Sequence, residues 1–266
     1  MINSEDVLFN LEARAMIYDY QGKNVIVTGG AKGIGKEVVK GIVNGGGKVA
    51  LLDIDDAAAQ ATAAELNGKV KAYHVDQGNR NEVNEQFSKI IGDFGRIHAL
   101  INVAGIISAK SFDDLPPEEW DRTIKINLTG PYNTVHAIWQ HFKDNDGGRI
   151  VNVSSVAGKI GGGLLGTVAY ASSKAGLNGF TKAIAKEGGK YGISANAVAP
   201  SFTHTSMTTS LSEDPEKNAK VIGMIPLGRA AEPVEIAQMI LFFGCDEASF
   251  ITGEIGDCDG GIVMDG

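Results

Sequence analysis

Asn24–Asp53 reads NVIVTGGAKGIGKEVVKGIVNGGGKVALLD. Val25-Ile26-Val27-Thr28 is a short β-branched run, the pattern of a buried strand. A glycine-rich turn follows, and Ile34, Val38, Val39, Ile42 and Val43 then recur at helical spacing. Gly45-Gly46-Gly47 stops that helix, and Lys48 to Leu52 is a second strand closed by Asp53. Strand, glycine turn, helix, strand and acid, in this order, make a dinucleotide-binding unit. Gly29 and Gly33 permit a tight turn and bring backbone N–H groups up to a pyrophosphate, and Gly35 lets the helix lie close on the strand. The helix start turns its free N–H groups and positive dipole end toward the phosphates. Asp53 stands where a carboxylate accepts both hydroxyls of the adenosine ribose.

Outward from this unit, strand and helix patterns alternate. Residues 56–66 are alanine-rich and helical by propensity, and Val70 to Val75 is a third strand followed by Asp76. Residues 79–92 form an amphipathic helix with Val83, Phe87, Ile90 and Ile91 on one face. Ala99 to Val103 is a fourth strand. A long helix starts at Pro116-Pro117 and reaches about Phe142, and Arg149 to Val153 is a fifth strand. Val168 to Lys190 is helical, Ser194 to Val198 a sixth strand, Glu232 to Phe243 a helix and Glu254 to Asp257 a last short strand. Residues 201–224 are polar and irregular and read as a mobile lid. Such alternation implies a Rossmann-type, doubly wound parallel sheet of about seven strands with helices on both faces. No linker composition divides residues 21–266, so they read as one domain. Residues 1–20 form an extension in which Val7, Leu8, Leu11 and Ala15 mark one face of a short helix.

Composition narrows the function. With 32 acidic against 24 basic residues and a formal charge of −8, a basic nucleic-acid footprint is not expected. Cys245 and Cys258 make neither a disulfide framework nor a metal site, and the five scattered histidines contain no zinc motif. No signal peptide or apolar run of membrane-spanning length is present, so a cytoplasmic protein acting on a small molecule is expected.

Tyr170-Ala-Ser-Ser-Lys174 carries the chemistry. Four residues apart on a helix, phenol and ammonium share a face. A nearby positive charge favours the phenolate, lowering a pKa near 10 toward working pH. A tyrosine tuned in this way exchanges a proton with an alcohol or carbonyl oxygen. The pair follows Val151-Asn-Val-Ser-Ser155, whose hydroxyls lie at the ligand-binding edge of the sheet.

Over residues 22–262 the chain resembles a classical short-chain dehydrogenase/reductase. The matching pieces are Thr28-Gly-Gly-Ala-Lys-Gly-Ile-Gly35, Asn102-Val-Ala-Gly105, Asn127, Asn152-Val-Ser-Ser155, Tyr170-x-x-x-Lys174, Pro200, Ile225-Pro-Leu-Gly-Arg229 and Asp259-Gly-Gly261. The resemblance implies that Tyr170 is the general acid/base, that Lys174 lowers its pKa and holds the nicotinamide ribose, and that Ser155 rather than Ser154 binds the reacting oxygen. It also implies a proton relay through water from Asn127 to Lys174. The implied cofactor contacts are Gly29, Lys32, Gly33, Ile34, Gly35, Asp53, Ile54, Asp76, Gln77, Asn102, Ala104, Gly105, Pro200, Thr203 and Thr205, with Tyr170 and Lys174. A homotetramer is implied as well, with residues 232–243 and the closing strand at an interface. Three pieces depart from the family pattern. Val103 stands for the usual second asparagine, Ser201 for the glycine after Pro200, and the Ser155–Tyr170 segment is long.

Asp53, with Asp55 and Asp56 close by, disfavours a 2′-phosphate, so NAD is expected over NADP, although Lys32 signals the opposite. Ile106, Ile107, Ile160, Leu164, Leu165, Met207 and Leu211 border the expected pocket. The first expectation is therefore an NAD-dependent alcohol dehydrogenase for an apolar, cyclic or hydroxysteroid-like secondary alcohol. The alternative is a 3-oxoacyl thioester reductase, which would more naturally use NADPH and a basic docking patch. A reading of a different class is a non-catalytic dinucleotide sensor.

Overall fold

Seven parallel strands, counted among the described residues, lie in the order β3-β2-β1-β4-β5-β6-β7. The computed structural model describes residues 18–66, 68–162 and 167–264. The expected N-terminal helix and the pocket residues Leu164 and Leu165 lie outside them. The strands are β1 (Asn24–Thr28), β2 (Lys48–Asp53), β3 (Val70–His74), β4 (Ala99–Asn102), β5 (Gly148–Val153), β6 (Ile193–Pro200) and β7 (Ile255–Cys258). Their register sets Thr28 beside Leu52 on one side and Asn102 on the other. The order reverses direction between β1 and β4, which opens the crevice where a doubly wound sheet binds its ligand.

Alternation along each strand divides the core. Val25, Val27, Val49 and Leu51 face one side, packed with Val38, Val39 and Ile42 of α1 (Gly33–Asn44) and Ile236, Ala237 and Ile240 of α8 (Pro233–Gly244). Ile26, Ala50 and Leu52 face the other, against Val83, Phe87 and Ile90 of α3 (Arg80–Phe94) and Val135, Ile138 and Phe142 of α5 (Gly130–Asp144). This period of two, buried on both faces, is why the strands read as unbroken apolar runs. The remaining labelled helices are α2 (Asp56–Glu65), α4 (Pro117–Ile124), α6 (Val168–Gly188) and α7 (Pro215–Ile222). Among the described residues no helix is long and apolar enough to cross a membrane.

Two segments differ from the sequence reading. The long helix expected from residue 116 is interrupted by a π-helical turn, Lys125–Thr129, between α4 and α5. Gly130 N–H reaches back five residues to the Lys125 carbonyl, and Pro131 has no N–H to return to the carbonyl of Asn127, four residues before it. The supposedly irregular lid is mostly helical. It contains short turns at Ser206–Thr208 and Thr209–Ser212 and then α7, where Asp214 caps the Lys217 N–H at 3.1 Å and Pro215 opens the helix. Phe202, Leu211, Val221, Ile225 and Ala230 bury one another beneath it. Leu211 therefore belongs to the core of this cap and not to the pocket wall.

Candidate active site

The crevice is a cleft of about 690 Å³ across the carboxyl ends of the strands. Its floor is the glycine turn. Gly29 has a φ of +66°, and a Cβ there would lie 2.7 Å from the Ala104 backbone. A Cβ on Gly35 would overlap the Gly29 carbonyl oxygen. Lys32, the residue before α1, makes no side-chain cap, so the first-turn N–H groups have no side-chain acceptor from that position. A cradle that side chains would fill, backed by a helix N-terminus, fits the pyrophosphate of a dinucleotide.

Asp53 lines the cleft where β2 ends. Its Oδ2 accepts from Ala31 N–H and its Oδ1 from Asp55 N–H, both at 3.1 Å. Ile54, 66% exposed, flanks it on the cleft wall. Beyond β3, Asp76 accepts Gly78 N–H at 2.8 Å. The Gln77 amide donates to the carbonyls of Ala104 and Ile126 at 3.1 and 2.9 Å. Gly29, Lys32, Gly33, Ile34, Gly35, Asp76, Gln77, Ala104, Gly105, Pro200, Thr203 and Thr205 all line the cleft. Thr205 packs over Gly33, where a Cβ would lie 3.3 Å from its Cγ2.

Asn102 is placed differently from expectation. It is buried behind the wall, donating to Asn152 Oδ1 at 2.9 Å and accepting from Thr134 Oγ1 at 2.9 Å, and Asn152 continues to Thr181. This polar chain ties β4, β5, α5 and α6 together. The sequence carried no signal for it, because apolar runs conceal buried amides that satisfy one another.

At the other end α6 presents Tyr170 and Lys174, one turn apart. Tyr170 hydrogen-bonds the Ser155 hydroxyl, whose oxygen also accepts Ala157 N–H at 3.1 Å. Ser154 points elsewhere, to Asn178 Oδ1 at 2.6 Å. Lys174 Nζ donates to the Val153 carbonyl at 2.7 Å and lies 5.7 Å from the Tyr170 ring centre. Burial pushes its pKa down to about 8. For Tyr170, burial raises the phenol above its usual value and the Ser155 hydrogen bond only opposes this. The expected net lowering by Lys174 is therefore absent from this arrangement. The Asn127 amide is also committed: Oδ1 accepts Ile106 N–H, while Nδ2 donates to the Ile106 carbonyl and to Ser173 Oγ. This side chain fastens the π turn to the β4 exit, and its Oδ1 lies behind Gly105 of the cleft wall, where Lys174 Nζ also approaches.

Ile106, Ile107, Ile160 and Met207 give the cleft an apolar mouth, joined by Phe202. Arg122 and Lys125 also line it. Helical periodicity reads such charges as a solvated face, so the sequence did not single them out. Of the histidines, His98 Nδ1 and His141 Nε2 accept backbone N–H groups at 3.0 Å, which are structural tasks.

A parallel sheet with a crevice floored by glycines and a Ser-Tyr-Lys cluster at its edge is a nicotinamide-dependent oxidoreductase site. The family model for "Enoyl-(Acyl carrier protein) reductase" matches residues 29–263, and the chain belongs to the short-chain dehydrogenase/reductase family. It is 39% identical to the acetoacetyl-CoA reductase of Shinella zoogloeoides, covering 89% of this chain and 96% of that one. It is 38% identical to the 3-oxoacyl-(acyl-carrier-protein) reductase FabG of Thermotoga maritima (92% and 99% covered). With the 3-alpha-(or 20-beta)-hydroxysteroid dehydrogenase of Mycobacterium tuberculosis it shares 36% over 91% and 90%. The crystal structure of gox2181 superposes with a TM-score of 0.89 at 31% identity, over 91% of this chain and 96% of that one.

Proposed function

We propose that this oxidoreductase reduces the ketone of a 3-oxoacyl thioester to the 3-hydroxyacyl thioester, with NADH as reductant. What supports the direction is that two of the similar proteins are named as reductases, while the hydrogen bond between Tyr170 and Ser155 marks the proton donor. With its pKa raised, Tyr170 is protonated at neutral pH, the state that donates to a ketone oxygen as it gains charge. Two of the similar proteins are named for 3-oxoacyl thioesters. Together with the open apolar mouth at Ile160 and Met207, this favours an acyl chain entering end-on over the cyclic alcohol first expected.

A bound reduced nicotinamide supplies the hydride for the ketone carbon. Ser155 hydrogen-bonds the ketone oxygen and orients it toward Tyr170. Tyr170 delivers its proton, and the charge of Lys174 favours the phenolate left behind. Asp53 and the adjoining Asp55 support NAD, because a 2′-phosphate would meet two carboxylates. We place the enzyme in the cytoplasm as a homotetramer, following the family resemblance.

Absorbance at the NADH band tests the reading, with acetoacetyl-CoA and a bulky cyclic ketone offered in parallel. Turnover of the thioester is expected to exceed that of the cyclic ketone, and the reverse order would return weight to the hydroxysteroid-like reading. Tyr170→Phe separates enzyme from sensor. Its turnover should fall by about 10²–10⁴, the usual worth of a general acid, while cofactor binding persists. Unchanged turnover would remove Tyr170 from its role.

A further inference from the structure

At the ribose end, two sequence signals oppose each other. Asp53 repels a 2′-phosphate, whereas Lys32 in the glycine turn attracts one. A third residue joins them. Asp55 Oδ2 holds Lys32 Nζ at 2.7 Å, and its Oδ1 accepts Ala58 N–H at 3.1 Å, capping α2. Its own backbone N–H donates to Asp53 Oδ1. All three side chains border the cleft. One residue thus orients the ribose-facing carboxylate and holds the cation that would otherwise counter it.

We propose that Asp55 is a specificity-determining residue that occupies Lys32 and thereby weights the site toward NAD and against NADP. The inference builds on the NAD reading given above. Lys32 and Asp55 have side chains 60% and 42% exposed, so the pair is no rigid lock. A phosphate dianion competes with Asp55 for Lys32, and discrimination follows from the charge it meets. The three side chains carry one net negative charge; with Asp55→Asn they carry none. Asparagine is as good a helix cap as aspartate, so this substitution removes the charge and keeps the α2 start.

Calorimetric titration of NAD⁺ and NADP⁺ into the substrate-free protein reads the effect without turnover. Asp55→Asn is expected to tighten NADP⁺ relative to NAD⁺ by about fivefold at low ionic strength, and the gain should shrink in 1 M salt, where the screening length is about 3 Å. Adding Lys32→Ala to Asp55→Asn should abolish the gain. An unchanged ratio in Asp55→Asn overturns the proposal, as does a gain that survives Lys32→Ala. A wild-type preference for NADP⁺ overturns the NAD reading alone, because the dependence of the Asp55 effect on Lys32 is still read from the same three proteins. Thermal melts of each variant confirm that the binding differences come from folded protein.

Discussion

Lys174 is 3% exposed and pairs its ammonium with a neutral carbonyl, Val153 O, so the fold bears most of its desolvation cost. Its pKa falls from 10.5 to about 8. A depressed amine pKa means destabilisation, present in full below pH 8 and relieved as pH climbs from 8 to 10.5. At about 1.4 kcal/mol per pKa unit the penalty is on the order of 3 kcal/mol, and loss of the hydrogen bond to Val153 offsets about 1–2 kcal/mol of any gain from removing the charge. Lys174→Met should therefore be about 1–2 kcal/mol more stable than wild type in urea at pH 7. The advantage should vanish above pH 10, and activity should be lost. Equal stability at both pH values would show that the ammonium is solvated. A charge kept where it costs stability marks a functional position.

The α1 start depends on how closely a helix can approach a strand. Gly35 lies where any side chain would overlap the Gly29 carbonyl oxygen. Gly35→Ala should shift the first turn, cost about 1–3 kcal/mol as overpacking does, and weaken nicotinamide-dinucleotide binding more than tenfold. Calorimetry and thermal melting would check both, and intact binding would show that the turn relaxes freely. This element was legible in the sequence because its glycines, apolar positions and Asp53 obey local rules of spacing. The π turn was not, since it depends on Asn127 bridging to Ile106, 21 residues away. The cap over residues 201–224 was misread for a related reason. Leu211, Val221 and Ile225 bury one another across separate short turns, and no single window shows a periodic face. Asn102 and Asn127 were identified as residues, but their side-chain partners depend on how the elements pack.

At the scale of the molecule, the sheet reversal between β1 and β4 places the glycine turn and the β4 exit against each other, and β5 and α6 bring Ser155 and Tyr170 to the same edge. Helix α8 tests the remaining expectation. Ile236, Ala237, Ile240 and Leu241 are buried inside the protomer, and Leu241 presses on α1 so closely that a Cβ at Gly41 would overlap it. What α8 offers a neighbour is its other side, with partly buried Met239 and Phe242; β7, next to it, is an edge strand. An edge strand beside a half-apolar helix is a surface that symmetric pairing covers well, since the same patch meets itself. Light scattering tests the homotetramer proposed above, whose mass is that of four 27.9 kDa chains. Gln238 adjoins Met239 on α8, and among the described residues its buried Oε1 has no hydrogen-bond partner. Met239→Lys should drive the assembly to smaller species while the circular dichroism of the chain is retained, because Met239 lies outside the fully buried set of α8. A wild-type protein that runs as a monomer at micromolar concentration would mean that α8 and β7 are complete as they stand in one chain.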